Sequence, residues 1–107
     1  MPTTPGASSR GVVAAIARSS AARPVMVEFY ADWCGPCRVV GPVVEEFARE
    51  MAGRAEVLRV NVDECPELAR EHGVRGIPAF VVFKNGRETA RQVGGIPKSE
   101  MRRLLNP

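Results

Sequence analysis

Residues 25–40 read Val-Met-Val-Glu-Phe-Tyr-Ala-Asp-Trp-Cys-Gly-Pro-Cys-Arg-Val-Val, and they pass from strand to helix across a pair of cysteines. Val25 to Tyr30 is a short apolar run broken only by Glu28, the pattern of a buried strand. Helical spacing begins at Arg38-Val39-Val40. Cys34 and Cys37 therefore sit where a strand ends and a helix starts, and a C-x-x-C at that junction reads as a redox site. The first turn of a helix carries unpaired N–H groups and a partial positive charge. A thiolate at Cys34 is stabilised there, and the thiolate is the reactive form. A purely structural disulfide is a poor alternative, because so short a loop removes little entropy from the unfolded chain. Zinc is a second alternative, with Cys34, Cys37, Cys65 and His72 as candidate ligands. Cys65 and His72 lie seven apart and Pro36 stiffens the first loop, so no second close pair completes a structural site. No metal is expected.

The pattern outside this stretch predicts αβαβαββα. Residues 1–7 read as a loose tail and residues 8–107 as one domain. Ser8 or Ser9 caps a helix to about Ser20, with Val12, Val13 and Ile16 on one side. A strand over about 24–30 leads into a long helix over about 34–51. There Val39, Val43 and Phe47 make one apolar row and Val40 and Val44 the next. Pro42 supplies no N–H inside that helix and should kink it. Residues 56–62 alternate toward a second strand, parallel to the first. A short helix over about 66–72 stops at Gly73. Ala79 to Phe83 is a third strand, and Asn85-Gly86 turns it back into a fourth through Val93. Gly94-Gly95 ends that strand, and Lys98 to Leu105 is a last amphipathic helix. The expected architecture is an α/β three-layer sandwich around a central mixed sheet of four, or with an N-terminal edge strand five, strands.

Composition bounds the function. The chain has 107 residues, 45% apolar and 25% charged, as for one globular domain. No run is long enough to span a membrane. Thirteen of the 15 basic residues are arginines and the net charge is +3, but they are scattered, which disfavours a nucleic-acid face. Three cysteines, two of them in the motif, suit a reducing compartment better than a secreted disulfide framework. The first 27 residues contain no Asp or Glu and several Ser and Arg, a composition shared with transit peptides. A first helix belonging to the fold is the preferred reading, and the expected location is cytoplasmic.

Several features converge: Trp33-Cys34-Gly35-Pro36-Cys37, Pro42 five residues beyond Cys37, Gly76-Ile77-Pro78 before a strand, the Lys84-Asn85-Gly86 turn, and Val93-Gly94-Gly95. Together they closely resemble the bacterial-type thioredoxin family over roughly residues 8–106. The resemblance implies a thioredoxin fold and a protein-disulfide reductase working by dithiol–disulfide exchange, with no bound cofactor. It implies that Cys34 is the exposed nucleophile, Cys37 the buried resolving cysteine, and Pro78 a cis-proline facing the disulfide. Trp33, Gly35, Pro36, Gly76, Ile77, Gly94 and Gly95 match the surface that meets substrate proteins. A cis Ile77–Pro78 bond leaves the Ile77 backbone open to pair with an extended substrate.

Glu28 stands where the family has an Asp that helps move the proton of the buried thiol. A carboxylate inside an apolar strand is costly unless paired or employed. Arg59, matching a family lysine, is the obvious ion-pair partner, and pairing and proton transfer are compatible. The expected partners are disulfide-containing proteins and a flavin- and NADPH-dependent thioredoxin reductase, with the chain acting as a monomer. Two alternatives stand beside reduction: a dithiol oxidase or isomerase, and a scaffold module using the apolar surface around the C-x-x-C.

Overall fold

Six consecutive buried residues, Val25–Tyr30, form strand β1, and the sheet is built outward from them. The computed structural model describes residues 9–106. The expected tail over 1–7 lies outside the described residues, as do Ser8 and the question of an N-terminal edge strand. The strand order is β2-β1-β3-β4. β2 (Glu56–Asn61) runs parallel to β1, with Glu28 opposite Arg59. β3 (Ala79–Lys84) is antiparallel to β1, with Glu28 opposite Phe80, and β4 (Arg87–Val93) is antiparallel to β3. The strands are the expected ones, and the sheet is mixed with four strands among the described residues.

Alternation along β1 divides the core into two layers. Val25, Val27 and Phe29 point to one side, against Val12 and Ala15 of the first helix and Leu68 and Ala69 of α4 (Pro66–Glu71). Met26 points to the other, against Val40, Val44 and Phe47 of α3 (Gly35–Glu50) and Met101 and Leu105 of α5 (Lys98–Leu105). Full burial of a side chain of this size contributes about 1.5–3 kcal/mol. Buried on both faces, β1 reads as a continuous apolar run, which is why Glu28 stands out in it.

Two apolar rows were placed differently from expectation. On α3 the buried stripe is Val40, Val44 and Phe47, and Val39 is 78% exposed. The helix presents one stripe to the sheet, and Val39 lies a hundred degrees from it. On the first helix Val12 and Ala15 face the core and Val13 is exposed. That helix is also not uniform: α1 (Ser9–Ala14) passes through a π-helical turn (Ala15–Ser19) into α2 (Ser20–Ala22). α3 continues through Pro42, where the carbonyl of Arg38 loses its usual helical donor.

The β3–β4 connection is the two-residue loop that Asn85-Gly86 predicts. Both residues have positive φ, 54° and 77°, as a type I′ turn requires. The end of the first helix holds this turn. The Ser20 hydroxyl accepts the Gly86 N–H at 2.7 Å and donates to the Ile16 carbonyl, while the Ser20 carbonyl accepts the Asn85 N–H at 2.8 Å.

Ser20 is buried, and removing its hydroxyl takes away the acceptor of the Gly86 N–H. Ser20→Ala should lower unfolding stability by about 1 kcal/mol, read from the denaturant midpoint, and speed hydrogen exchange at the Gly86 amide. An unchanged midpoint and exchange rate would show that this bond contributes nothing.

Candidate active site

Cys34 ends the β1 loop and caps α3. Its backbone is extended, its N–H bonds the Ala31 carbonyl at 3.2 Å, and its sulfur accepts the Cys37 N–H at 3.3 Å. Pro36 occupies the first turn, where its missing N–H costs nothing. That turn holds no acidic residue to oppose a negative sulfur. Cys34 and Cys37 are joined as a disulfide, with Cα atoms 5.2 Å apart. The Ile77–Pro78 bond is cis, and the Ile77 carbonyl oxygen lies 3.8 Å from Cys34 Sγ. An exposed Cys34 was expected. In the disulfide it is only 6% exposed, against 1% for Cys37, because Tyr30, Ala31, Val62 and Ile77 pack around the pair.

The surface beside the pair joins four segments. Trp33 is 67% exposed, and its indole N–H donates to Asp63 at 2.8 Å. Gly35 and Gly95 have open space where a side chain would stand. Gly76 lies against Val93, so that a Cβ there would meet Val93 Cγ1 at 3.1 Å. Gly94 has φ +106°, a conformation that favours glycine, and its N–H reaches the Pro78 carbonyl at 2.7 Å. Gly76 thus meets Val93, itself half exposed, and Gly94 meets Pro78, while Glu28, also expected in the site, lies inside the sheet. Asp63, which steadies Trp33, carries no sequence signal and was missed.

Glu28 lies on the α3 side of the sheet and is fully buried. Arg59 Nε donates to its Oε1 at 2.7 Å, and the expected pair exists. Glu28 Oε2 is buried without a hydrogen bond. The Arg59 guanidinium also stacks on Tyr30, 4.1 Å from the ring centroid, and its Nη1 lies 3.4 Å from Glu45 Oε2. Burial pushes the Glu28 carboxyl above its ordinary value; Arg59 opposes this without cancelling it, and Glu45 adds to it. A cleft of about 430 Å³ opens beside Arg59 and Glu45 and reaches Cys37, Asp32 and Arg38. Among the described residues no cluster of His, Cys, Asp and Glu could hold a metal ion.

Cys65 is buried at the start of α4, outside the disulfide. His72 packs edge-on against Phe83 with centroids 5.2 Å apart, and the two did not assemble with the motif cysteines into a metal site.

Comparison with known proteins agrees with this geometry. The thioredoxin family model matches residues 13–107. The chain is 45% identical over 82 residues to thioredoxin 1 of Nostoc sp., covering 77% of each. It is 41% identical over 83 residues to the chloroplastic thioredoxin M5 of Oryza sativa, covering 78% of this chain and 48% of that protein. Its fold superposes on a mutant thioredoxin from Halobacterium salinarum with a TM-score of 0.81 at 32% identity, over 96% of this chain and 87% of that one. A disulfide at the head of α3, a cis-proline against it and these relatives lead to one conclusion: the chain belongs to the thioredoxin family and is a thiol–disulfide oxidoreductase whose redox pair is Cys34–Cys37.

Proposed function

We propose that Cys34 attacks, Cys37 resolves and Glu28 accepts the proton in the reduction of protein disulfides. The observation that carries the assignment is the Cys34 sulfur accepting the Cys37 N–H at the head of α3. A sulfur held there is favoured as thiolate by the helix end. In the reduced protein the Cys34 thiolate attacks one sulfur of a substrate disulfide. The substrate S–S bond breaks, a mixed disulfide forms, and the departing substrate thiolate takes a proton. Cys37 then loses its proton and attacks Cys34 Sγ. The second substrate thiol leaves, and Cys34–Cys37 closes with two electrons transferred.

Glu28 serves as base because it lies on the sheet face covered by α3 and one of its oxygens is not engaged. Its partner Arg59 lines the cleft that reaches Cys37. Trp33, Gly35, Pro36, Gly76, Ile77, Pro78, Gly94 and Gly95 form the docking surface, and an extended substrate adds as a strand at Ile77. Electrons come from a flavin- and NADPH-dependent thioredoxin reductase, the usual donor in the family. One chain carries both thiols, the carboxylate and the docking face, so the reaction needs no second copy and no bound cofactor. A cytoplasmic setting is supported by the cysteine usage and the bacterial relative. The chain spans about half the length of its chloroplastic relatives, and no described helix is long and apolar enough to cross a membrane.

With thioredoxin reductase and NADPH, the protein should reduce insulin disulfides continuously. Cys37→Ser should stop turnover yet retain substrates covalently on Cys34, as reductant-sensitive complexes on gels. Retention on Cys37 in a Cys34→Ser variant, with none in Cys37→Ser, would reverse the roles.

Glu28 also makes stability depend on pH. Its folded-state pKa is raised above the ordinary 4.5. Just above that pH the folded protein holds a proton that the unfolded chain has lost, so stability falls as pH rises toward the folded value. The steepest slope from one group is about 1.4 kcal/mol per pH unit. Glu28→Gln keeps the bond to Arg59 Nε and removes the titration. The stability of the variant relative to the parent should therefore grow from pH 4 upward, measured by urea unfolding across pH. A constant difference would mean that Glu28 titrates alike in both states.

A further inference from the structure

Arg59 has one guanidinium and two carboxylates to serve. Its Nε is on Glu28 at 2.7 Å, while its Nη1 turns to Glu45 at 3.4 Å. An arginine left with one carboxylate commonly grips both oxygens through two parallel N–H bonds. Here Glu28 is held by one oxygen, and its Oε2 is buried without a hydrogen bond. The guanidinium packs closely against Gly41 of α3. A Cβ on Gly41 would stand 3.1 Å from Arg59 Nη2, and Glu45 comes one helical turn later on the same face.

We propose that Glu45 is a positioning residue for the proton step, drawing the Arg59 guanidinium toward α3 so that one oxygen of Glu28 stays open to a proton. The inference rests on the proposed role of Glu28 as the acceptor of the Cys37 proton. Charge points the same way: the Glu45 carboxylate raises the proton affinity of Glu28, and Arg59 lowers it. Other groups around Glu28 are accounted for. From α3, Cys37 and Arg38 line the cleft with Glu45, and Tyr30 and Asp32 line it from the end of β1 and its loop. β3 sets Phe80 opposite Glu28, and α5 packs on this layer through Met101 and Leu105, none of them titratable. Glu45 is the second carboxylate on Arg59, and its side chain is 39% exposed, so it can be changed without opening the core.

The test is the pH profile of mixed-disulfide resolution, followed by stopped flow as the second aromatic thiolate is released when reduced protein reacts with an aromatic disulfide. The parent, Glu45→Gln and Glu28→Gln are compared. In Glu45→Gln the negative charge is gone and Arg59 is free to engage Glu28 alone. The inflection of the profile should move to lower pH, and the rate below the ordinary cysteine range should fall because the base is weaker. A Glu45 that merely supports the fold would leave the inflection in place. If Glu28→Gln abolishes the inflection and Glu45→Gln leaves it unmoved, the role of Glu45 is overturned and that of Glu28 stands. If Glu28→Gln leaves the profile unchanged, the proton role of Glu28 is overturned and this inference falls with it.

Discussion

A carboxylate at the centre of the sheet has to be reconciled with the apolar core around it, and Arg59 does this from the neighbouring strand. The parallel register of β1 and β2 sets Glu28 opposite Arg59. The surroundings of that pair accommodate a guanidinium in a nearly buried place. Position 41 is glycine, Tyr30 offers its ring face, and a cleft beside the pair admits solvent to the rim. Replacing a buried pair by apolar residues often stabilises a protein, so this pair is weak evidence for stability and is compatible with the proposed proton role. The accommodation is incomplete on the Glu28 side, where one oxygen has no hydrogen bond. An imperfectly neutralised carboxylate suits a group that must take up and release a proton.

The redox pair stands just beyond the end of β1. β1 delivers the chain to the head of α3, and the helix turns Cys37 inward while Cys34 stays at its cap. The cis Ile77–Pro78 segment closes on Cys34 from the β3 side, and Gly94 is tied to it through the Pro78 carbonyl. The proposed nucleophile, docking backbone and base come from β1, α3, β3 and the end of β4. This division matches the proposed chemistry: a positive helix end favours a thiolate, and an open strand edge can pair with an extended substrate.

How much of this the sequence discloses depends on whether a feature is local. The strand–C-x-x-C–helix junction, the Asn85-Gly86 turn and the six buried residues of β1 are written in neighbouring residues. Their spacing carries them. The cis bond came only from resemblance, and Glu28 showed itself because a carboxylate is out of place among apolar neighbours. The sharing of Arg59 between Glu28 and Glu45, the close approach of Arg59 to Gly41 and the Asp63–Trp33 bond were not visible. Each depends on two elements meeting in space, and nothing near either residue announces the other. The exposure of Val39 and Val13 was misjudged for a related reason: helical periodicity names several apolar rows, and only packing against the sheet selects one. The π-helical turn in the first helix has no signal in residue type that we can identify.

The central claim is that Glu28 is a buried carboxyl whose charge Arg59 only partly offsets. A side-chain carboxyl titration by carbon-13 NMR, with the Glu28 resonance assigned by its absence in Glu28→Gln, measures this directly in the oxidised protein. The account predicts a midpoint above the ordinary glutamate value of 4.5. A midpoint at or below that value would contradict it, because Arg59 would then neutralise Glu28 fully and leave it an ion-pair partner without a proton to accept.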